Sequence, residues 1–255
     1  MTRPLAFVTG ARRGIGLAIA EAFAVAGYDV ALAGTRNDAQ AETACNSVSR
    51  RGAKTAFFAF DIADLTSHDA VLDGIEKKFG RLDCLVANAG IGAPVRGDLL
   101  ELEPQNFDTV MAVNLRGTVF LTQKAVRRML AAPAPDAARS VLLVSSVSAE
   151  LASPERADYC MSKAGLAMWV RALALRLAGT PIGVYEIRPG IIRTDMTAKV
   201  ADKYERLIED GLVPAGRWGQ GTDVASVAVA LASGAFGFAS GTVVNVDGGL
   251  AIPRL

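Results

Sequence analysis

The chain has 255 residues, 51% of them hydrophobic, and 27 basic against 26 acidic side chains give a formal net charge of +1. That length and apolar content suffice for one large core, and the balanced charge excludes a nucleic-acid-binding surface and an acidic disordered tail. Cys45, Cys84 and Cys160 lie far apart and the only histidine is His68, so the sequence offers no disulfide framework and no metal cluster, and the thiols are expected to be reduced in a cytoplasmic protein.

The first strand is expected at "LAFVT" (5–9), too early in the chain to leave room for a signal peptide, and no apolar run reaches the roughly 18 residues of a membrane span. It runs into "GARRGIG" (10–16), in which Gly10, Gly14 and Gly16 space a turn that opens the first helix. Glycines there permit a tight turn and bring backbone N–H groups onto a pyrophosphate at the positive end of a helix. A dinucleotide site is therefore expected along Gly10, Arg12, Arg13, Gly14, Ile15 and Gly16. The second strand, "DVALAG" (29–34), ends at Gly34 and is followed by Thr35 and Arg36. No carboxylate stands at 31–36 to grip a ribose 2′-hydroxyl, whereas Arg13 and Arg36 are available for a 2′-phosphate, so NADP(H) is expected to be preferred, with NAD(H) possible.

The third strand is "TAFFAF" (55–60), and His68 in "DLTSHDAV" reads as an exposed residue at the polar start of a helix. The fourth, "CLVAN" (84–88), is followed by a long stretch of helical period (106–130) that carries Asn114, and then by an apparent surface loop (131–140). The fifth, "SVLLVS" (140–145), is followed at once by Ser146. After a greasy helical segment come "GVYEI" (183–187), a long insert (195–216) that reads as a substrate lid, and "TVVNV" (242–246). Continuous apolar strands alternating with helical segments define an α/β fold: one doubly wound, Rossmann-like domain over 1–255, a seven-stranded parallel sheet with helices on both faces.

In "YCMSK", Tyr159 and Lys163 stand four apart, so on a helix they share a face. A cation about 4 Å from the phenol at an effective dielectric near 20 favours the phenolate by roughly 4 kcal/mol, or about three pKa units. The pair thus reads as a proton donor and the group that makes it one. Ser146 follows the fifth strand at its carboxyl end, where ligands of open α/β sheets bind, and can stabilise charge developing on a substrate oxygen. Its neighbours Ser145 and Ser148 compete for that role. Asn114 is an unfavourable helix-interior residue and asks for a reason.

Taken in order, "TGARRGIG", "NAG" (88–90), Asn114, Ser146, "YCMSK", "RPGIIRTDM" and "GTVVNVDGGL" resemble the classical short-chain dehydrogenase/reductase family, most of all its 3-oxoacyl-acyl-carrier-protein reductases. The resemblance implies a tetrad of Asn114, Ser146, Tyr159 and Lys163, with Asn114 supporting a water-linked proton relay and Lys163 binding the nicotinamide ribose. It also implies cofactor contacts from Gly34, Thr35, Asp61 and Ile62, from Asn88, Ala89 and Gly90, and from Pro189, Gly190, Ile192 and Thr194. The implied activity is reversible hydride transfer between NADP(H) and a carbonyl or secondary alcohol, on a 3-oxoacyl or related small keto substrate. Alternatives are an NAD-dependent sugar-alcohol, hydroxyacid or steroid dehydrogenase and a non-catalytic NADP(H) sensor. A homotetramer is implied as well, as is an acyl carrier protein as partner. The basic side chains for such docking, Lys124, Arg127 and Arg128, form only a thin patch.

Overall fold

Strands that lie between two layers of helices bury both faces, which is why their sequences show unbroken apolar runs. The computed structural model, which describes residues 3–132, 138–198 and 200–254, forms such strands at β1 (Leu5–Thr9), β2 (Asp29–Gly34), β3 (Thr55–Ala59), β4 (Cys84–Ala87), β5 (Arg139–Val144), β6 (Ile182–Pro189) and β7 (Val243–Val246). All pair in parallel in one sheet of order β3-β2-β1-β4-β5-β6-β7. The direction of winding reverses between β1 and β4, and that reversal opens a crevice at the carboxyl ends of the strands.

Alternate residues of each strand feed opposite layers. Phe7, Leu85 and Leu143 pack with Leu72, Leu121 and Leu166 from α3 (His68–Phe79), α5 (Thr118–Ala131) and α6 (Ala157–Leu177). Val8, Val86 and Val144 pack on the other face with Ile19, Val48 and Val224 from α1 (Gly14–Val25), α2 (Ala39–Ser49) and α9 (Gly221–Ala232). Each such side chain contributes about 1.5–3 kcal/mol on burial. Between β6 and α9 lie two short helices, α7 (Asp195–Ala198) and α8 (Ala201–Glu209), around a small separate cluster of Ile208, Val213 and Trp218. They occupy the segment read as a lid, of which Lys199 lies outside the described residues, as do residues 133–137 of the segment read as a loop. Among the described residues no helix is long and apolar enough to cross a membrane, and no group of His, Cys, Asp or Glu could hold a metal ion.

Two expectations are corrected. His68 is not exposed but fully buried. It opens α3 as expected, but α3 folds back over the end of β3, so the ring meets Phe60 edge-on at 5.9 Å and its Nε2 donates to the Ile62 carbonyl at 2.8 Å. The long helical stretch at 106–130 is also not uniform. It begins as α4 (Pro104–Val110) and continues as α5, but Met111–Gly117 between them is π-helical. The wider turn lets Gly117 press on the end of β3: a Cβ there would stand 2.3 Å from the Ile62 carbonyl oxygen. Gly117→Ala must therefore displace the backbone, and the expected loss is about 2 kcal/mol of stability, read as a lower urea midpoint with an unchanged slope.

Candidate active site

The glycine turn is built for close approach. Gly10 and Gly14 adopt φ of 65° and 58°, and a Cβ on Gly16 would fall 2.3 Å from the Gly10 carbonyl oxygen and 2.6 Å from Asn88 Nδ2. Asn88 uses that space: its Nδ2 donates to the carbonyls of Thr9 at 2.9 Å and Gly10 at 3.3 Å. Thr9 Oγ1 in return accepts the N–H groups of Asn88 and Ala89, each at 3.0 Å. The end of β4 is thus stitched to the turn after β1. The first turn of α1 holds no acidic residue, so its positive end stays open to an anion.

One cavity of about 710 Å³ runs from this turn across the carboxyl ends of the sheet. Every site residue expected from the sequence lines it except Arg36 and Asn114. Thr194 lies against the turn, with its Cγ2 3.5 Å from where a Gly14 Cβ would be, and Gly190 packs so closely on Asp247 that a Cβ would be 2.7 Å from the Asp247 Cα. Asp61, after β3, accepts from the Ala63 N–H at 2.9 Å. A second hollow of about 610 Å³, beside Arg171 and Phe238, lies at the other end of β5 and β6, away from these groups.

The arginines near the turn are placed differently from the expectation. Arg13 reaches across the cavity to Asp195 of α7 at 2.9 Å, and Arg36 stands outside the lining. Arg12 instead faces the end of β2, in an ion pair with Asp38. Asp38, the N-cap of α2, is a carboxylate that lies just beyond the 31–36 window. Desolvation opposes its ionisation, but the Ala41 N–H and the Arg12 and Arg36 guanidiniums outweigh it and hold the carboxyl below the ordinary range.

At the chemical end, Tyr159 and Lys163 rise from one face of α6 and Ser146 from the turn after β5. Ser145 is spent on the buried Glu186 carboxylate, while Ser146 reaches the Tyr159 phenol, which singles it out of the three serines. Burial pushes the Tyr159 phenol up; the Ser146 hydrogen bond and the Arg156 guanidinium, 5.3 Å from the ring centre, act to bring it down. Lys163 Nζ stands 5.6 Å from the centre of the tyrosine ring and donates to the Val144 carbonyl at 3.3 Å. Burial pulls its own pKa down to about 8, with Glu186 opposing.

Asn114 sits in the π-helical turn, fully buried. Its Oδ1 accepts the Ile91 N–H at 2.8 Å, and its Nδ2 donates to the Ile91 carbonyl at 2.9 Å and to Ser162 Oγ at 3.1 Å. With both amide hydrogens taken, it fastens the chain after β4 to α6. Gly90 is the window between them: a Cβ there would meet Asn114 Oδ1 at 3.2 Å and Lys163 Nζ at 3.5 Å. Sequence reasoning missed Ser162, Asp38, Asp195 and the pair Glu186 and Arg188. Glu186 Oε1 accepts from Arg188 Nε at 2.6 Å, and Arg188 also pairs with Glu150. The visible signal was opposite charges two apart in an otherwise apolar strand, which places both on one face.

A cavity that joins an open helix N-terminus to a serine, a tyrosine and a buried lysine belongs with the oxidoreductases of doubly wound folds, and the comparisons agree. The family model described as enoyl-(acyl carrier protein) reductase matches residues 10–251. A 3-oxoacyl-[acyl-carrier-protein] reductase of Staphylococcus aureus is 33% identical over 247 residues, covering 96% of this chain and 97% of that protein. Gluconate 5-dehydrogenase of Gluconobacter oxydans is 34% identical over 253 residues, covering 97% of this chain and 94% of that protein. The crystal structure of a 3-oxoacyl-[acyl-carrier protein] reductase from Brucella melitensis in complex with NAD superposes with a TM-score of 0.97 at 53% identity over 100% of both chains. The chain belongs to the short-chain dehydrogenase/reductase family.

The depressed Lys163 pKa makes a prediction for the protein without nucleotide. Below pH about 8 folded and unfolded chains both carry the proton; from there up to the ordinary value of 10.5 only the unfolded chain does. The unfolded state then binds more protons, so this group adds stability as pH rises through that window. Relative to Lys163→Met, the wild type should gain stability between pH about 8 and 10.5 and show a flat difference below it, as read from urea midpoints across pH.

Proposed function

We propose that the protein is an NADP(H)-dependent reductase of small 3-oxo compounds, free or linked to coenzyme A, acting through Ser146, Tyr159 and Lys163. The observation that carries this reading is that these three side chains share one cavity with the glycine turn. The cradle suits a dinucleotide: Gly16 and Gly90 leave no Cβ where backbone and side chains close in, and the first turn of α1 is free of acids. Bound there, the reduced dinucleotide supplies hydride to the carbonyl carbon. Ser146 holds the carbonyl oxygen by hydrogen bond and steadies the charge that develops on it. Tyr159 gives its phenolic proton to that oxygen, and Lys163, beneath it, stabilises the phenolate and takes the ribose hydroxyls. Asn114 keeps Gly90 and α6 in register. Segment 195–216, with its separate cluster of Ile208, Val213 and Trp218, is suited to cover the substrate as a lid.

For the 2′-phosphate, Arg12 and Arg36 replace the expected Arg13 and Arg36, because Arg12 lies against the end of β2 beside Gly34 and Asp38 whereas Arg13 is turned to Asp195 of α7. Carrier-protein docking is weakly supported. Lys124 pairs with Asp69, and Arg128 with Asp73 at 2.6 Å and Glu76 at 2.9 Å, so α3 neutralises most of the basic patch. The relative named gluconate 5-dehydrogenase keeps a second reading in view, a hydroxyacid dehydrogenase with the same machinery. Phe120, Met161, Met168 and Leu175 stay exposed along α5 and α6, which supports assembly into a homotetramer.

Two measurements test this reading. Tyr159→Phe should keep nucleotide affinity and lose about a hundredfold or more in turnover; a variant that retains a tenth of the wild-type rate or more, to order of magnitude, rules out Tyr159 as the acid. NADPH should bind more tightly than NADH, and Asp38→Asn should widen the gap by releasing Arg12; equal dissociation constants for the two nucleotides contradict the assignment.

A further inference from the structure

The substrate end of the cavity carries cations without counter-ions. Arg156 ends the short turn Pro154–Arg156 and leads into α6, three residues before Tyr159. That spacing puts both on one side of the helix start, and the guanidinium carbon lies 5.3 Å from the centre of the tyrosine ring, in the cavity wall. Among the described residues the guanidinium has no ion pair and no hydrogen bond; the ring is its one neighbour of that kind. The nearby acids are committed elsewhere. Glu155 pairs with Lys203 of α8 at 3.3 Å, Glu150 pairs with Arg188, and Asp158 accepts the Tyr159 N–H at 2.7 Å. Arg96, from the segment after β4, lines the same cavity and, among the described residues, is equally unpaired. Of the two acids in the lining, Asp195 is held by Arg13, and Asp61 stands beyond β3 at the dinucleotide end.

An unpaired guanidinium in a cavity wall is suited to a planar anion that takes two parallel hydrogen bonds. Distance decides which anion. A thioester has no charge beside its carbonyl, and the phosphates of coenzyme A or a carrier protein are a whole pantetheine arm away from it. Arg156 lies against the ring of the residue that faces the carbonyl, so an anion on it is only a few bonds from the carbon to be reduced. We propose that Arg156, assisted by Arg96, binds a carboxylate of the substrate, and that the substrate is a short 3-oxo acid whose carbonyl faces Ser146 and Tyr159. The inference rests on the carbonyl reduction proposed above and narrows its substrate to the free acid.

The test compares wild type, Arg156→Gln and Arg156→Lys with NADPH on acetoacetate, ethyl acetoacetate and acetoacetyl-CoA. Calorimetry of acetoacetate binding to the NADP⁺-loaded proteins is read alongside. Arg156→Gln should lose at least about tenfold more in kcat/KM for acetoacetate than for the ester, the excess falling chiefly on KM, because any loss through the phenol is common to both substrates. Arg156→Lys should recover part of the loss. Equal losses on acid and ester would show that Arg156 serves the phenol instead and overturn the proposal. A loss confined to acetoacetyl-CoA would assign the arginine to a phosphate and overturn it too, as would acetoacetate binding that ignores the substitution. Acetoacetate binding that needs Arg156, without turnover of any of the three compounds, would uphold the carboxylate site and sink the reductase reading.

Discussion

An ammonium almost wholly withdrawn from solvent in the wall of a cavity needs partners for its charge, and the architecture around Lys163 follows from that constraint. The Val144 carbonyl at the end of β5 accepts one of its hydrogens, and Glu186 on the neighbouring strand supplies the opposing charge. Glu186 is itself tolerable in a buried strand only because Ser145 and Arg188 saturate it, and Arg188 leads out to solvent through Glu150. A chain of charges thus runs from the reacting end of the cavity to the surface. It ties β5, β6 and α6 into one unit, so the positions of Ser146 and Tyr159 are set by elements that cannot shift independently.

The two ends of the cavity are coupled through the short stretch after β4. Asn88 faces back to the glycine turn, and Gly90 faces Asn114 and Lys163. Three residues therefore fix the distance between the place where a pyrophosphate fits and the place where a proton moves. The absence of Cβ atoms is the mechanism at both ends: at Gly16 it admits the Asn88 amide, and at Gly90 it admits the asparagine and the lysine.

The fold was legible because its signals are local. Buried parallel strands read as apolar runs, and all seven were found with ends correct to within about two residues. The glycine turn was legible as spacing and Tyr159 and Lys163 as residues four apart on a helix, whereas Asn114 and the choice of Ser146 rested on the family resemblance. What escaped was decided by tertiary contact. Nothing local in "MAVNLRG" announces a π-helical turn, whose last residue, Gly117, abuts the Ile62 carbonyl of another element. The same carbonyl captures His68, whose polar neighbours pointed to solvent. Arg12 and Arg13 are adjacent and alike in sequence, and only the positions of Asp38 and Asp195 send them to opposite sides of the cavity. Helix spacing puts Tyr159 and Lys163 on one face, but that the lysine also finds the Val144 carbonyl is decided by the end of another element.

The packing of Gly190 against Asp247 gives the site a history as well as a shape. Gly190 donates its N–H to Val246, and Asp247 caps the following turn by accepting from Gly249 and Ala251. The wall beside the chemical end is therefore finished by the last strand of the sheet, whereas the glycine turn and its Asn88 clasp belong to the first third of the chain. During synthesis the dinucleotide cradle emerges long before the wall that completes the reaction chamber. The chamber is therefore closed only when the last strand adds to the edge of the sheet beside β6, so an early part of the sequence shapes one end of the site and its final residues seal the other.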